Sequence, residues 1–163
     1  ISGPTKEKAF LTGILRKIML GFPKDYEVIM SLGYPNADSK PLRYGGLTIF
    51  KWLPNRFEYL KACDVLVARA GHGTITQCMC YGKPVILVPT PNHTEQLTNA
   101  KQAEALGVAK IMLQKWLNKE KLLENITYML QADNNEKISE IQEESLKYDG
   151  SENAVKTIME TAG

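Results

Sequence analysis

The stretch VARAGHGTITQCMCYGKPVILVPTPNHTEQLTNA, residues 67–100, decides the fold. An apolar run closes at Arg69, Gly71 and Gly73 interrupt it, and a helix is expected over residues 74–81. The next run, PVILVP at 84–89, is apolar without a period of two, which is how a strand buried on both faces reads. Then come Asn92, His93, Glu95 and Gln96, and a helix expected over 94–106 that Gly107 stops. Asn92 and Glu95 have the spacing of a capping pair. Strand, glycine turn, helix, strand, polar turn, helix is the grammar of a parallel sheet.

The same alternation extends in both directions. Ile1-Ser2-Gly3-Pro4-Thr5 has the look of a strand end and its turn, so an upstream strand is expected to be missing, and the abrupt start suggests a fragment of a longer protein. Pro4 suits the first turn of a helix running to about Leu20, in which Phe10, Ile14 and Ile18, with Leu11 and Leu15, recur at helical spacing. Strands are expected at 26–32 and 47–52, with 33–46 a loop rich in Pro, Asn, Asp and Gly. Pro54 opens a helix to about Ala62, and Asp64 begins the strand VLVAR. Residues 108–112 read as a last strand, and helices follow at 117–130, 136–146 and 151–161, with Asp133-Asn134-Asn135 as a turn. The expected fold is α/β: a Rossmann-like, doubly wound parallel sheet of about six strands, helices on both faces, and a helical C-terminal tail. A chain of 163 residues that is 44% hydrophobic suits one domain, residues 1–163.

Composition narrows the function. The net charge is +2 and lysines alternate with acids, which disfavours a nucleic-acid partner. The sequence shows no run near the roughly 18 apolar residues that span a bilayer and no leader pattern. Cys63, Cys78 and Cys80 are an odd set without metal or disulfide spacing, and read as small hydrophobes in a reducing compartment.

In such sheets ligands lie at the carboxyl ends of the strands, against helix N-termini. The unusual clusters fall there: Ser2-Gly3, Trp52-Leu53-Pro54, Arg69 to Thr74, and Pro89 to Gln96. Gly71 and Gly73 either provide a turn that needs positive φ or let backbone amides approach a diphosphate, with Thr74 adding a hydroxyl. Gln77 shares a helix face with Thr74 and is either a ribose contact or an ordinary helix glutamine. Trp52 offers a plane to a base or a partly buried core ring. Glu95 and Gln96 can accept from and donate to sugar hydroxyls, or cap their helix. His72 suits a phosphate contact, acid–base work or plain exposure, and neither it nor His93 has metal-ligand spacing. Lys51, Arg56 and Arg69 add charge near these loops, although Arg69 equally suits a local structural pair.

KWLPN, DVLVARAGHGTITQ, GKPVILVP and HTEQLTNA, in that order, resemble the C-terminal, donor-binding half of GT-B glycosyltransferases of the family 28 type. This group includes MurG, plant galactolipid synthases and the Alg13 subunit, with the UDP-glucuronosyltransferases more distant. The resemblance covers residues 2–112 and implies an inverting transferase that takes a UDP-hexose or UDP-N-acetylhexosamine without a bound metal or any cofactor. It implies that Ser2 and Gly3 touch the phosphates, that Trp52 and Leu53 hold the uracil, and that Gly71, His72, Gly73 and Thr74 enclose the diphosphate. Glu95 and Gln96 would take the sugar, and Asn99, which ends the last motif, a structural role. Gln77 stands where relatives carry a ribose-binding glutamate, and Asn55 where many have glutamine. The acceptor domain, which usually holds the general base, is expected to be missing, so the isolated chain should bind donor and transfer sugar weakly or not at all. Its partner would be an N-terminal acceptor domain or an acceptor subunit, with a lipid or glycan acceptor, a cytoplasmic setting, and membrane association only through that partner. The other readings are a GT-B-type epimerase or hydrolase half and a non-catalytic nucleotide-sugar-binding subunit.

Overall fold

The most buried strand sets the architecture. Val85, Ile86, Leu87 and Val88 are all fully shielded from solvent, so this segment must have sheet on both edges and helices on both faces. The computed structural model describes residues 5–38, 40–147 and 150–162; Ser2, Gly3 and Pro4 lie outside the described residues. In chain order the elements are α1 (Thr5–Met19), β1 (Val28–Ser31), β2 (Leu42–Tyr44), β3 (Leu47–Phe50), α2 (Arg56–Ala62), β4 (Leu66–Ala68) and α3 (His72–Cys80). They continue with β5 (Val85–Leu87), α4 (Thr94–Leu106), β6 (Ala109–Ile111), a 3-10 turn at Gln114–Trp116, α5 (Lys119–Met129), α6 (Ala132–Leu146) and α7 (Gly150–Ala162).

The strands form two three-stranded ladders, β1-β3-β2 and β4-β5-β6. β4, β5 and β6 run parallel, with Val67 opposite Ile86 and Ile86 opposite Lys110. β1 and β3 are also parallel, Met30 facing Ile49. The five strands expected within the described residues form and the Rossmann-like α/β character holds, but two details differ. First, β2 lies inside the segment read as a loop and pairs antiparallel to β3 across the Gly45-Gly46 turn. All three of its residues are exposed, so it carries no apolar alternation to announce it. Second, no ladder hydrogen bond joins β1 to β4 among the described residues; the two halves share instead one apolar core.

That core draws on Leu11 and Leu15 of α1, Met30, Leu47 and Ile49 of the first ladder, Ala100 and Ala103 of α4, Leu122, Ile126 and Met129 of α5, and Ile138 of α6. The inward face of α1 is the Leu11–Leu15 line. Phe10, expected among the packing residues, is 59% exposed because it projects one position away from that line.

Helix ends explain the remaining shifts. α3 and α4 both close in Schellman motifs: Gly82 (φ 61°) donates to Met79 O with Lys83 N on Cys78 O, and Gly107 (φ 88°) donates to Glu104 O with Val108 N on Ala103 O. α4 starts where expected, but its cap is His93, whose Nδ1 accepts from Gln96 N, while Asn92 takes a left-handed conformation (φ 59°) that removes it from the capping position. α2 begins at Arg56, two residues after Pro54, because Asn55 also turns left-handed (φ 50°). The Asp133-Asn134-Asn135 segment is the first turn of α6 rather than a turn between helices: Asn134 and Asn135 donate their side-chain amides to Tyr128 O and Leu130 O, satisfying the last carbonyls of α5.

Candidate functional site

Two buried cations fix where the strand ends meet. Lys8, in the second turn of α1, donates from Nζ to Gly33 O at 2.8 Å, just past β1, and sits 4.3 Å from the Tyr34 ring centre. Arg69, one residue past β4, donates from one terminal nitrogen to Val88 O and Pro89 O, both at 3.1 Å. Its other terminal nitrogen donates to Glu7 O at 3.3 Å, with the Glu7 carboxylate 3.8 Å away. The start of α1 therefore touches the carboxyl ends of both ladders, which must lie on one edge. Burial pushes the Arg69 pKa down and Glu7 partly offsets that.

Further bonds gather the loops. Leu32 N and Tyr34 N donate to Phe50 O and Lys51 O, at 2.9 Å each, which brings the exit of β3 and hence Trp52 beside the exit of β1. Asn99 donates from Nδ2 to Ala70 O at 3.3 Å, tying α4 to the β4–α3 turn. Gln96 Oε1 accepts from Thr90 N at 2.9 Å and braces the loop after β5.

The turn that opens α3 is where the glycines act. Gly71 caps the helix with φ −77° and ψ 137°, and Gly73 also lies outside the left-handed region. Backbone conformation therefore does not require glycine at either place. A Cβ on Gly71 or Gly73 would meet nothing within 4 Å. What glycine provides here is open space over the first turn of a helix, whose leading amides have no partner inside the helix and whose dipole end is positive. The helix starts at His72, two residues before the expected Thr74, so Gly73 and Thr74 are part of that first turn. Gly71 N–H and the amides after it can approach an anion without a side chain intervening.

The other expected residues divide by setting. His72 and Glu95 are exposed; Thr74, Gln77, Leu53, Gln96 and Asn99 are half-buried. Trp52 is 36% exposed, so one part of its ring is open. Arg69 is 3% exposed and lies beneath the loop with its donors turned to carbonyls. Lys51 is paired with Asp38 at 2.8 Å, which holds the Asp38 carboxyl below its usual range, and Arg56 lies over the Phe57 ring at 4.7 Å. Neither of two shallow hollows in the molecule includes these loops: one of about 450 Å3 is bounded by Leu97, Met112 and Trp116, the other of about 510 Å3 by Ile14, Ile18 and Leu117. The gathered loops form an open edge, as one wall of a cleft would.

Sequence reasoning passed over Lys8 and the capping role of His93. For Lys8 the signal was available, since it lies three residues before Leu11 and seven before Leu15, on the apolar line of α1.

Comparison with known proteins places the chain in a family. Residues 5–160 match the model of the glycosyltransferase family 28 C-terminal domain. A UDP-N-acetylglucosamine--N-acetylmuramyl-(pentapeptide) pyrophosphoryl-undecaprenol N-acetylglucosamine transferase of Bacillus cytotoxicus is 37% identical over 117 residues, 66% of this chain and 32% of that protein. Among solved structures, the glycotransferase of kitacinnamycin superposes with a TM-score of 0.76 at 20% identity, over 92% of this chain and 38% of its own. MurG of Acinetobacter baumannii gives 0.53 at 18% identity, over 78% and 48%. These structural likenesses speak to the fold, and the chain spans about a third of the length of such curated relatives. By sequence and fold together, this chain belongs to the glycosyltransferase family 28 C-terminal domains.

Proposed function

We propose that this chain is the donor-binding half of an inverting glycosyltransferase that takes a UDP-sugar, UDP-N-acetylglucosamine being the first to test because the Bacillus cytotoxicus relative is named for it. The observation that carries the reading is the vacant volume above Gly71 and Gly73 at the start of α3. A diphosphate there would take backbone amides and the positive helix end, an arrangement that also stabilises the negative charge growing on UDP as it leaves. Trp52 and Leu53 would hold the uracil, Gln77 the ribose, Glu95 and Gln96 the sugar hydroxyls, and Thr74 and His72 the phosphates. Ser2 and Gly3, outside the described residues, would complete the phosphate contacts from the other side. Asn99 and Arg69 would serve by holding the loops. No metal is needed in this scheme, since amides supply the electrophilic stabilisation. The general base and the acceptor, a lipid-linked or free glycan, would belong to a second wall contributed by an acceptor domain or subunit, in a cytoplasmic setting at the membrane surface.

Calorimetric titration with UDP tests this reading. Binding that Gly73→Val abolishes and Gln77→Ala weakens by about two- to tenfold, the worth of one hydrogen bond, is expected. A folded protein with no affinity for UDP would refute it.

A further inference from the structure

Lys8 and Arg69 are the buried charged residues of the described chain, 9% and 3% exposed. They flank the first turns of α1 from opposite sides, Lys8 toward the β1 exit and Arg69 toward the exits of β4 and β5. Their hydrogen bonds all go to carbonyl oxygens: Gly33, Val88, Pro89 and Glu7. Among the described residues, one carboxylate stands within ion-pair distance of either, that of Glu7, 3.8 Å from Arg69 and 45% exposed. Burying a cation is costly unless an anion or strong dipoles compensate it. Two cations against one loose, half-solvated carboxylate leave this end of the molecule positive in a low-dielectric setting.

We propose that Lys8 and Arg69 act as a buried cationic pair that attracts the donor's diphosphate through their field, without touching it. The inference rests on the donor reading above. Arg69 precedes Gly71 by two residues, so its backbone lies within about 8 Å of the proposed cradle along the chain. Its guanidinium is turned inward to the carbonyls, which leaves it no free fork for direct contact. Lys8 has its ammonium against Gly33 O and the Tyr34 ring, again beneath the loops. Charges held this way are screened little by salt and act over several ångströms. A purely mechanical role, stapling the β1 exit to α1, depends on the bond to Gly33 O and would survive Lys8→Gln, whose amide can still make it. A field discriminates: it favours UDP, which carries the diphosphate, and ignores uridine, which has the same base and ribose and no phosphate.

The test is a pair of titrations, UDP and uridine, on the parent protein and on Lys8→Met, Lys8→Gln and Lys8→Arg, with thermal melting to verify folding. Lys8→Gln serves as the second neutral variant because its amide can still donate to Gly33 O if Lys8→Met does not fold. The expected result is a loss of about tenfold in UDP affinity on neutralising Lys8, the scale of one unit charge acting across several ångströms in an effective dielectric near 20. Uridine should change by less than about twofold, with Lys8→Arg, which keeps the charge, close to the parent. An unchanged ratio of UDP to uridine affinity in the folded neutral variant, whether both ligands weaken together or neither does, overturns the inference and leaves the donor reading standing. Failure of the parent protein to bind UDP overturns both.

Discussion

At Gly71 the backbone sits at φ −77°, ψ 137°, where alanine would be at ease, and the volume beyond its Cα is open. On the proposed reading, glycine there leaves room for the diphosphate. Gly73→Val should therefore leave the fold intact, within about 0.5 kcal/mol as for other exposed substitutions, while removing the heat of UDP binding. Thermal melting beside calorimetry checks the two halves of that statement. Cys78 makes the opposite case. It is fully buried, and burial pushes its thiol pKa up to about 12, so at pH 8 only about one molecule in ten thousand would hold the thiolate. Iodoacetamide at pH 8 should leave Cys78 unmodified in the native protein and modify it in urea, which peptide mass mapping reads directly. Spacing alone leaves a positive-φ turn and an open cradle equally available for the two glycines, and the dihedral angles remove the first. Arg69 shows the same limit. Its charge was visible at the strand end, whereas its direction, inward to Val88 O and Pro89 O, depends on residues about 20 positions away.

Elements whose signals are local were readable: α4 from Thr94 to Leu106, stopped by Gly107, and β5 from its unbroken apolar run. Those that depend on a partner were not. β2 exists because Leu42, Arg43 and Tyr44 pair with Ile49, Thr48 and Leu47, and its exposed residues carry no periodic imprint of that pairing. The start of α6 was hidden for a similar reason, since Asn134 and Asn135 read as turn residues until their side chains are seen on the carbonyls of α5. α6 is fastened to the end of α3: Ile138 is buried and Gln142 donates to Cys80 O. Two substitutions measure these elements. Gly107→Ala forces a left-handed alanine and brings its Cβ within 2.7 Å of Lys137 Cε, and should cost about 1 kcal/mol or more in urea unfolding. Ile86→Ala, in the fully enclosed strand, should cost about 2–5 kcal/mol.

For the whole molecule, the two ladders share a core and present their carboxyl ends on one side, where α1 is fastened to both by Lys8 and Arg69. The resulting face is open, and the hollows elsewhere do not coincide with it. On the proposed reading the group that deprotonates an acceptor lies in the other wall, so transfer by this chain alone is expected to be weak or nil, and to rise when the acceptor half is supplied. If amides and helix ends stabilise the leaving UDP, EDTA should not lower that restored activity; a loss recovered by adding Mg2+ or Mn2+ would assign the task to a metal instead. Among the described residues no helix is long and apolar enough to cross a membrane.

The central claim is that the space over Gly71 and Gly73 is a diphosphate cradle. Calorimetric titration of the parent protein and Gly73→Val with UDP, run side by side with circular dichroism on both, tests it most directly. The account predicts saturable UDP binding to the parent and none to the equally folded variant; equal affinity in the two proteins would contradict it.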